Sequence, residues 1–381
     1  MQQLLIQVIQ TFNRLYSISY YGIGALLCAS LMACSSDSII NDVEEPQGQV
    51  PMQFSQAAVN APSIARATTR GTILPKGFLV SCYKNSNTTS PRQVMDKYEV
   101  KCYTDGWGDS QPRWDYVGTK SNGFYKDQVQ RYWDTSALPY RFTAISPCPK
   151  EGENIDAFTL NDKELNMPES AAYTYQTCTK GESTEGAEPY YVADTTYVKQ
   201  AEKVALPFHH ITSKVRFAIY CSQGVSLKLN QITIKATRED GFITSANSYH
   251  ADLTGNKSAL SGQFKNITKA ESACTLLTDE DFVVSTDKSK PYYFNCSAGL
   301  LQIPQQDVKL TLTLEVDGEQ KEIPITINEN EKTIDSFTWE PNKIYTYILN
   351  VSNIKPLIIV CSAELAPWQD VEGAIETNLE K

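Results

Sequence analysis

The segment Val308-Lys-Leu-Thr-Leu-Thr-Leu-Glu-Val316 alternates apolar and polar residues without a break. Because successive side chains of a strand point to opposite faces, this alternation predicts a strand with one face in a core. Asp317-Gly318 follows and is typical of a hairpin turn, and Ile323, Ile325 and Ile327 then return with the same period. The stretch therefore predicts an antiparallel hairpin.

Further short apolar or alternating runs follow one another along the chain, with no helical pattern between them. The predicted strands are Phe78–Tyr83, Lys97–Tyr103, Tyr132–Trp133, Tyr140–Ile145, Val215–Cys221, Lys343–Val351 and Leu357–Cys361. We also expect a bulge or turn near Asn230-Gln231, because the apolar residues change there from odd to even positions. This pattern predicts an all-β fold of antiparallel β-sandwiches.

The beginning of the chain predicts export. An apolar run from about Leu15 ends at Leu31-Met-Ala-Cys34, and a polar, turn-rich stretch starts immediately afterwards. An apolar core with small residues before a cut point is typical of a secretory signal peptide, which would cover residues 1–33. The alternative is an ordinary transmembrane helix, since the run is nearly long enough to span a bilayer.

Chain length predicts two further domains. Removal of residues 1–33 from the 381 residues leaves 381 − 33 = 348, which exceeds the roughly 250–300 residues at which single cores stop growing. Residues 34–53 are polar and acidic, which predicts a tether. We place an N-terminal domain at 54–203 and a C-terminal domain at 204–381.

The charge of the chain makes nucleic acid a poor partner. The 44 acidic residues exceed the 34 basic ones and give a net charge of −10. An acidic surface repels phosphate backbones. The sequence contains no second apolar segment long enough to predict another membrane span.

Eight of the ten cysteines follow Cys34. Cys82, Cys102 and Cys221 are in phase with the apolar residues of their strands, which predicts that they lie in cores as free thiols. The alternative is one or two disulfides, as an exported chain could form. No C-x-x-C motif occurs, so a redox or zinc-ribbon site is not expected.

The sequence shows no constellation for catalysis, metal or cofactor binding. His209 and His210 are adjacent, so a strand would point them to opposite faces and they could not chelate one metal ion. The motifs of zinc proteases, serine hydrolases and P-loop proteins are absent. We therefore expect a protein without enzymatic activity, although the scattered carboxylates leave a glycosidase pair open.

Aromatic residues concentrate in one region and allow two interpretations. The cluster comprises Trp107, Trp114, Tyr116, Phe124, Tyr125, Tyr132 and Trp133. Flat rings on loops could stack on sugars and form a glycan platform. Alternatively, the rings belong to a long hairpin and cover a sheet edge, because aromatic residues favour strands.

An ordered series of short motifs resembles the fimbrillin-family lipoproteins, the subunits of type V pili of Bacteroidetes-type bacteria. In chain order the motifs are Leu31–Cys34, Pro51–Phe54, Thr69–Gly71, Gly77–Val80, Tyr132–Asp134, Tyr140–Ala144, Phe208–Phe217, Leu300–Gln305, Trp339–Tyr347 and Ala366–Trp368. They extend over nearly the whole mature chain. Leu31–Cys34 is similar to a lipobox, in which the cysteine thiol receives diacylglycerol.

The resemblance implies two tandem transthyretin-like β-sandwich domains and a lipid anchor on Cys34 in the outer membrane. It implies that a trypsin-like protease cuts after Arg70 or Arg66 and releases the strand Phe54–Val59. A segment of another subunit, for which Leu357–Val360 and the tail 369–381 are candidates, would then fill the groove by strand complementation. The expected function is a structural or adhesive fimbrial subunit with a possible host glycan or protein ligand; the alternative is a monomeric glycan-binding lipoprotein for polysaccharide uptake.

Overall fold

Strands dominate the chain, as the alternating sequence predicts. The computed structural model describes residues 49–55, 58–59, 77–103, 113–116, 128–149, 154–168, 173–179, 190–221, 227–255, 257–294, 299–316, 319–329, 332–352 and 360–365. Within these ranges the only helices are 3-10 helices, at Thr135–Ala137, Ile155–Ala157 and Ala259–Ser261. None of the helices in the described part has the length and apolar character needed to cross a bilayer.

The strands are numbered in chain order. The first eleven are β1 Ala58–Val59, β2 Phe78–Lys84, β3 Arg92–Tyr103, β4 Arg113–Asp115, β5 Tyr140–Ser146, β6 Thr159–Leu160, β7 Glu164–Met167, β8 Tyr173–Thr174, β9 Cys178–Thr179, β10 Tyr191–Tyr197 and β11 Pro207–His210. The next eight are β12 Ser213–Cys221, β13 Leu227–Thr237, β14 Phe242–Ala246, β15 Ser248–Asp252, β16 Gln263–Lys265, β17 Thr268–Ala270, β18 Cys274–Val284 and β19 Tyr292–Tyr293. The last eight are β20 Leu300–Gln302, β21 Gln305–Val316, β22 Glu319–Pro324, β23 Ile327–Glu329, β24 Lys332–Ile334, β25 Phe337–Trp339, β26 Ile344–Ser352 and β27 Val360–Leu365.

A seven-stranded sheet forms the first half of the molecule, in the order β1-β11-β10-β5-β2-β3-β4. Phe78, Val80 and Phe142 project from one face into an aromatic-rich core. Leu79 and Ile145 project from the other face. Because successive residues of a strand alternate between faces, a sheet covered on both sides needs the nearly continuous apolar run of β2.

Two sheets enclose the core of the second half. One has the order β19-β12-β26-β27, and the other the order β22-β21-β13-β18-β9. Odd-numbered residues of β12 and β26, such as Phe217 and Tyr347, pack in one cluster with Ile234 of β13 and Leu312 of β21. The period-two alternation of these strands thus becomes a two-layer sandwich.

The predicted hairpin is confirmed for β21 and β22, whereas Ile327 begins β23 and pairs with Ile334 of β24, and the turn residues Asp317-Gly318 lie outside the described residues. β21 pairs with β22 in antiparallel register, with Leu312 opposite Ile323, and the amide of Ile325 donates to the carbonyl of Leu310 at 2.9 Å. Tyr132–Trp133 differs from its prediction, because Tyr132 makes only an isolated antiparallel bridge, to Pro51. The irregularity of β13 also differs, because its register with β18 shifts between Ile234 and Lys235.

A third cluster contains residues from both sides of the predicted domain boundary at 203/204. Leu79 and Met167, which precede the boundary, pack in it with Tyr249 and Ile303, which follow it. The described residues from Gln49 onwards belong to one compact unit by their contacts. The division into two transthyretin-like domains remains a prediction, and the all-β class is confirmed by the strands.

Arg141 connects distant parts of this unit. Its guanidinium forms two hydrogen bonds with the Asp194 carboxylate, at 2.9 and 2.7 Å, and both side chains are largely buried. It also donates to the carbonyls of Asp162, Leu253 and Lys257. The fixed fork of an arginine suits such a multidentate site.

The described thiols agree with the phase of their strands. Cys82 and Cys221 are fully buried and Cys102 is half-buried. All three are free, as are Cys148 and Cys274. Burial raises the pKa of the Cys82 thiol well above its usual value, so this thiol is held in its neutral form.

Candidate functional site

The sequence-predicted processing sites cannot be placed in the fold. Cys34, Arg66 and Arg70 lie outside the described residues. The segment between them is described at residues 49–55 and 58–59, and these residues define a site. We call residues 49–59 the leading segment. The acceptor groove is the site between residues 131–133 and residues 204–208 that the leading segment occupies.

The leading segment is bound by main-chain hydrogen bonds at both edges. On one edge, Pro51 bridges Tyr132 in antiparallel orientation. On the other, Phe54 bridges Val204 in parallel orientation, and β1 continues as a parallel partner of β11, with Ala58 opposite Pro207. The leading segment therefore extends the seven-stranded sheet beyond β11.

Short distances define these edges. The Met52 amide donates to the carbonyl of Arg131 at 2.7 Å, and the Trp133 amide donates to that of Val50 at 2.9 Å. The Val204 amide donates to the Gln53 carbonyl at 2.7 Å, and the Ser55 amide returns a bond to the Val204 carbonyl at 2.9 Å. Removal of this segment would leave main-chain groups on both edges without these partners.

Alternate side chains of the leading segment point into the aromatic-rich core. Met52 is 0% exposed and Phe54 is 4% exposed, whereas Gln53 between them is exposed. The Phe54 ring makes edge-to-face contacts with Phe78 and Phe142, at centroid distances of 5.5 and 6.3 Å. The segment thus supplies part of the core that it covers, and its removal would expose apolar pockets.

The Gln128 side chain joins the main chains of Glu99 and Tyr116. Its amide accepts from the Glu99 amide at 2.6 Å and donates to the Glu99 carbonyl at 2.9 Å, as a neighbouring strand would. It also donates to the Tyr116 carbonyl at 2.8 Å. Gln128 is buried, so these bonds form in a medium of low dielectric and fix the backbone of Tyr116 to the sheet.

The strand β11, which borders the groove, is fastened to the second half of the chain. Asn342 has a left-handed backbone with φ +60°, a conformation that asparagine tolerates. Its side-chain oxygen accepts from the His210 amide at 3.0 Å, and its side-chain nitrogen lies 3.1 Å from Nδ1 of His209. The loop before β26 therefore holds the end of β11.

His210 is buried in its neutral form. Its ring packs 4.4 Å from that of Tyr191. Its Nδ1 has no hydrogen-bond partner among the described residues. Burial, reinforced by the positive charges of Lys214 and His209, lowers the pKa of His210 to about 3. Burial also lowers the pKa of His209.

These shifts predict that acid destabilises the fold. A histidine in an unfolded chain has a pKa near 6.5. Below about pH 6.5, His210 therefore binds a proton in the unfolded state and stays neutral in the folded state, which favours unfolding. As the pH falls from about 6.5 to about 3, His210 should lower the free energy of unfolding by about 1.4 kcal/mol per pH unit. Urea titrations at pH 7, 6, 5 and 4 should show a smaller pH slope for His210→Gln than for wild type. Equal slopes would contradict the assignment.

The described aromatic residues belong mostly to the core. Trp114, Tyr116 and Trp133 are at most 6% exposed and pack in the aromatic-rich core. Rings buried in this way have no free face for a sugar, so these three do not form a glycan platform. Trp107, Phe124 and Tyr125 lie outside the described residues.

The described residues hold no metal-binding group. No cluster of three or more histidine, cysteine, aspartate or glutamate side chains with suitable geometry occurs among them. His209 and His210 lie at the end of β11, where His209 is half-buried and His210 is buried. Nothing in the geometry of the described residues indicates a metal-binding or catalytic role for either histidine.

The candidate donor segment is described only at its end. Val360 begins β27, which pairs antiparallel with β26, with Val360 opposite Ser352. Leu357–Ile359 and the tail 369–381 lie outside the described residues. The donor role of this segment remains a prediction.

Sequence reasoning missed several residues of the groove. It placed residues 49–53 in a tether, although Val50, Met52 and Phe54 alternate at the period of a strand and Met52 is fully buried. This alternation was the available signal. Tyr116 was recognised only as a member of the aromatic cluster and Gln130 not at all, because nothing in the local sequence indicates that their side chains bond to the Met52 carbonyl.

Comparison with protein families assigns the chain. The model of a family described as fimbrillin-like matches residues 79–368, which is more than half of the chain. The chain belongs to the fimbrillin-like family.

Two of the solved structures similar to this fimbrillin-like chain are described as fimbrial proteins. A fimbrial protein from Bacteroides vulgatus shares 13% identity, with 84% of this chain and 99% of that chain covered and a TM-score of 0.46. A fimbrial assembly protein from Parabacteroides distasonis shares 9% identity, with 83% and 95% covered and a TM-score of 0.35. No curated protein matches the fimbrillin-like chain in a sequence search.

Proposed function

We propose that this fimbrillin-like chain is a structural or adhesive component of cell-surface fimbriae that assembles by strand exchange and has no catalytic role. Membership of the family supports a fimbrial role at the cell surface. In this proposal the chain is exported as a lipoprotein, anchored in the outer membrane through Cys34 and cut after Arg70 or Arg66. Other pilus subunits are then its partners, each filling the groove of its neighbour.

The observation that carries the proposal is the double-edged docking of the leading segment. This segment is paired on one edge with Tyr132 and on the other with Val204, and its Met52 and Phe54 side chains are buried. Arg66 and Arg70 lie in sequence between its last described residue, Val59, and Gly77. A cut after either arginine would sever the covalent link and leave only the contacts described above.

Strand addition then provides a physical route to a filament. An incoming strand would satisfy the main-chain groups of residues 131–133 and 204–208, and its alternate side chains would fill the Met52 and Phe54 pockets. A head-to-tail contact of this kind does not close on itself, so repeated additions extend a fibre.

Protease treatment tests this proposal. Incubation with a trypsin-like protease should give a new N-terminus at Gly71 or Ala67 and produce ladders of oligomers on gels. The double variant Arg66→Ala, Arg70→Ala should give neither, because the leading segment stays covalently attached.

Arg92→Ala provides a matched control. Arg92 is exposed but lies within β3, so its loss should leave both the new N-terminus and the ladders unchanged. Ladders of normal yield from the double variant would refute processing at these arginines.

A further inference from the structure

The Tyr116 hydroxyl interrupts the hydrogen-bond ladder between the leading segment and its antiparallel neighbour. Beyond the Pro51–Tyr132 bridge, a regular antiparallel ladder would have the Arg131 amide donate directly to the Met52 carbonyl. Here the Arg131 amide donates to the Tyr116 hydroxyl at 3.0 Å, and this hydroxyl donates to the Met52 carbonyl at 2.9 Å. A side chain thus relays a bond that two backbones would otherwise make.

Gln130 completes this arrangement. Its side-chain nitrogen is 3.1 Å from the Met52 carbonyl oxygen, 2.9 Å from the Tyr116 hydroxyl and 2.8 Å from the Arg131 carbonyl oxygen. Tyr116 is 2% exposed, and burial raises the pKa of its hydroxyl, which keeps the proton it donates. We call Tyr116 and Gln130 the carbonyl clasp.

The hydrogen bonds from the carbonyl clasp to the leading segment all end on its main chain, although the Tyr116 ring also contacts the Phe54 ring edge-on at 5.8 Å. Every residue carries a backbone carbonyl, so these hydrogen bonds do not depend on sequence, whereas the ring contact and the Met52 and Phe54 pockets do. When a strand adds to a sheet edge, the main-chain hydrogen bonds supply affinity, and the pockets for alternate side chains supply specificity. Departure of the leading segment would leave the buried Tyr116 hydroxyl without its acceptor, which is costly.

We propose that the polar groups of the carbonyl clasp, the Tyr116 hydroxyl and the Gln130 amide, are a sequence-independent receptor for the backbone of the strand that occupies the acceptor groove. They bind the chain's own leading segment before processing and the strand of a second copy of this chain afterwards. The second half of this inference rests on the proposed function, and the first half does not.

Hydrogen exchange on the uncut full-length chain tests the first half. In Tyr116→Phe, the amides of Met52 and Ser55 should exchange roughly five- to tenfold faster than in wild type, as expected for loss of about one hydrogen bond. The control Tyr249→Phe removes another buried hydroxyl, which donates to the Ala259 carbonyl at 2.7 Å outside the groove. It should leave these two amides unchanged, and equal exchange in both variants would overturn the inference.

A labelled peptide of residues 49–59 tests the second half on protease-treated protein. Tyr116→Phe should weaken its binding roughly five- to tenfold, and by a similar factor for a peptide with Ala at positions 52 and 54, which binds more weakly throughout. Equal affinities of wild type and Tyr116→Phe would overturn the receptor role. If the peptide does not bind wild type at all, strand exchange in this groove fails, whereas the result on the uncut chain still decides the first half.

Discussion

Replacement of Arg141 by methionine should lower the free energy of unfolding by about 3–5 kcal/mol, because it leaves a buried carboxylate without its partner. Asp194 is 9% exposed at its side chain, and the Arg141 guanidinium supplies two hydrogen bonds to it. Three main-chain carbonyls, of Asp162, Leu253 and Lys257, would lose a donor in the same variant. Urea titrations followed by tryptophan fluorescence and by circular dichroism would measure the loss.

Two comparisons make this result specific. The double variant Arg141→Met, Asp194→Leu should recover part of the stability, because no unpaired charge remains in the interior. Lys343→Met breaks an ion pair with Glu340 whose side chains are both more than half exposed, and it should cost less than about 1 kcal/mol. A loss of that small size in Arg141→Met would show that Arg141 does not connect the parts of the molecule.

Replacement of Phe54 by alanine should weaken the docking of the leading segment by about 3–5 kcal/mol, because the ring leaves a cavity among other rings. Phe54 is 4% exposed and contacts Phe78, Phe142 and Tyr116. The amides of residues 52–55 should therefore exchange on the order of a hundred to several thousand times faster. Hydrogen exchange followed by mass spectrometry would resolve this change.

Gln53→Ala is the matched control for Phe54→Ala. Gln53 bonds to Val204 through its backbone carbonyl, and its side chain is exposed, so this variant should keep wild-type exchange. If Phe54→Ala also kept it, the leading segment would be held by its main chain alone, and the pockets would contribute nothing to the choice of an incoming strand.

The strands were predictable wherever local alternation decides them. The period-two pattern of residues 308–316 fixes which side chains of β21 enter the core, because a slip by one residue would expose all of them. The burial of Cys82 and Cys221 follows from the same reasoning. In both cases, the local sequence is enough to decide which side chains of a strand are buried.

Pairings between distant residues were not predictable in the same way. Nothing in the local pattern of Pro51 indicates Tyr132 as its partner, or that Val204 pairs with Phe54. The aromatic cluster left two interpretations open for a related reason, because the composition around Trp114 and Tyr116 fits both a sugar platform and rings that cover a sheet. Only the tertiary pairing, which places the leading segment over these rings, decides between them.

The parallel pairing of β12 with β26 has a consequence for the time course of folding. Its ladder joins Lys214 to Ile344 and continues for eight residue pairs to Cys221 and Val351. To form this pairing, the chain must first close a long loop, which costs conformational entropy before the contacts between the strands can stabilise it. Non-local pairings of this kind slow folding. Until residues 344–351 pair with it, this edge of β12 presents unpaired main-chain groups, and a transiently exposed strand edge of this kind favours association with other chains.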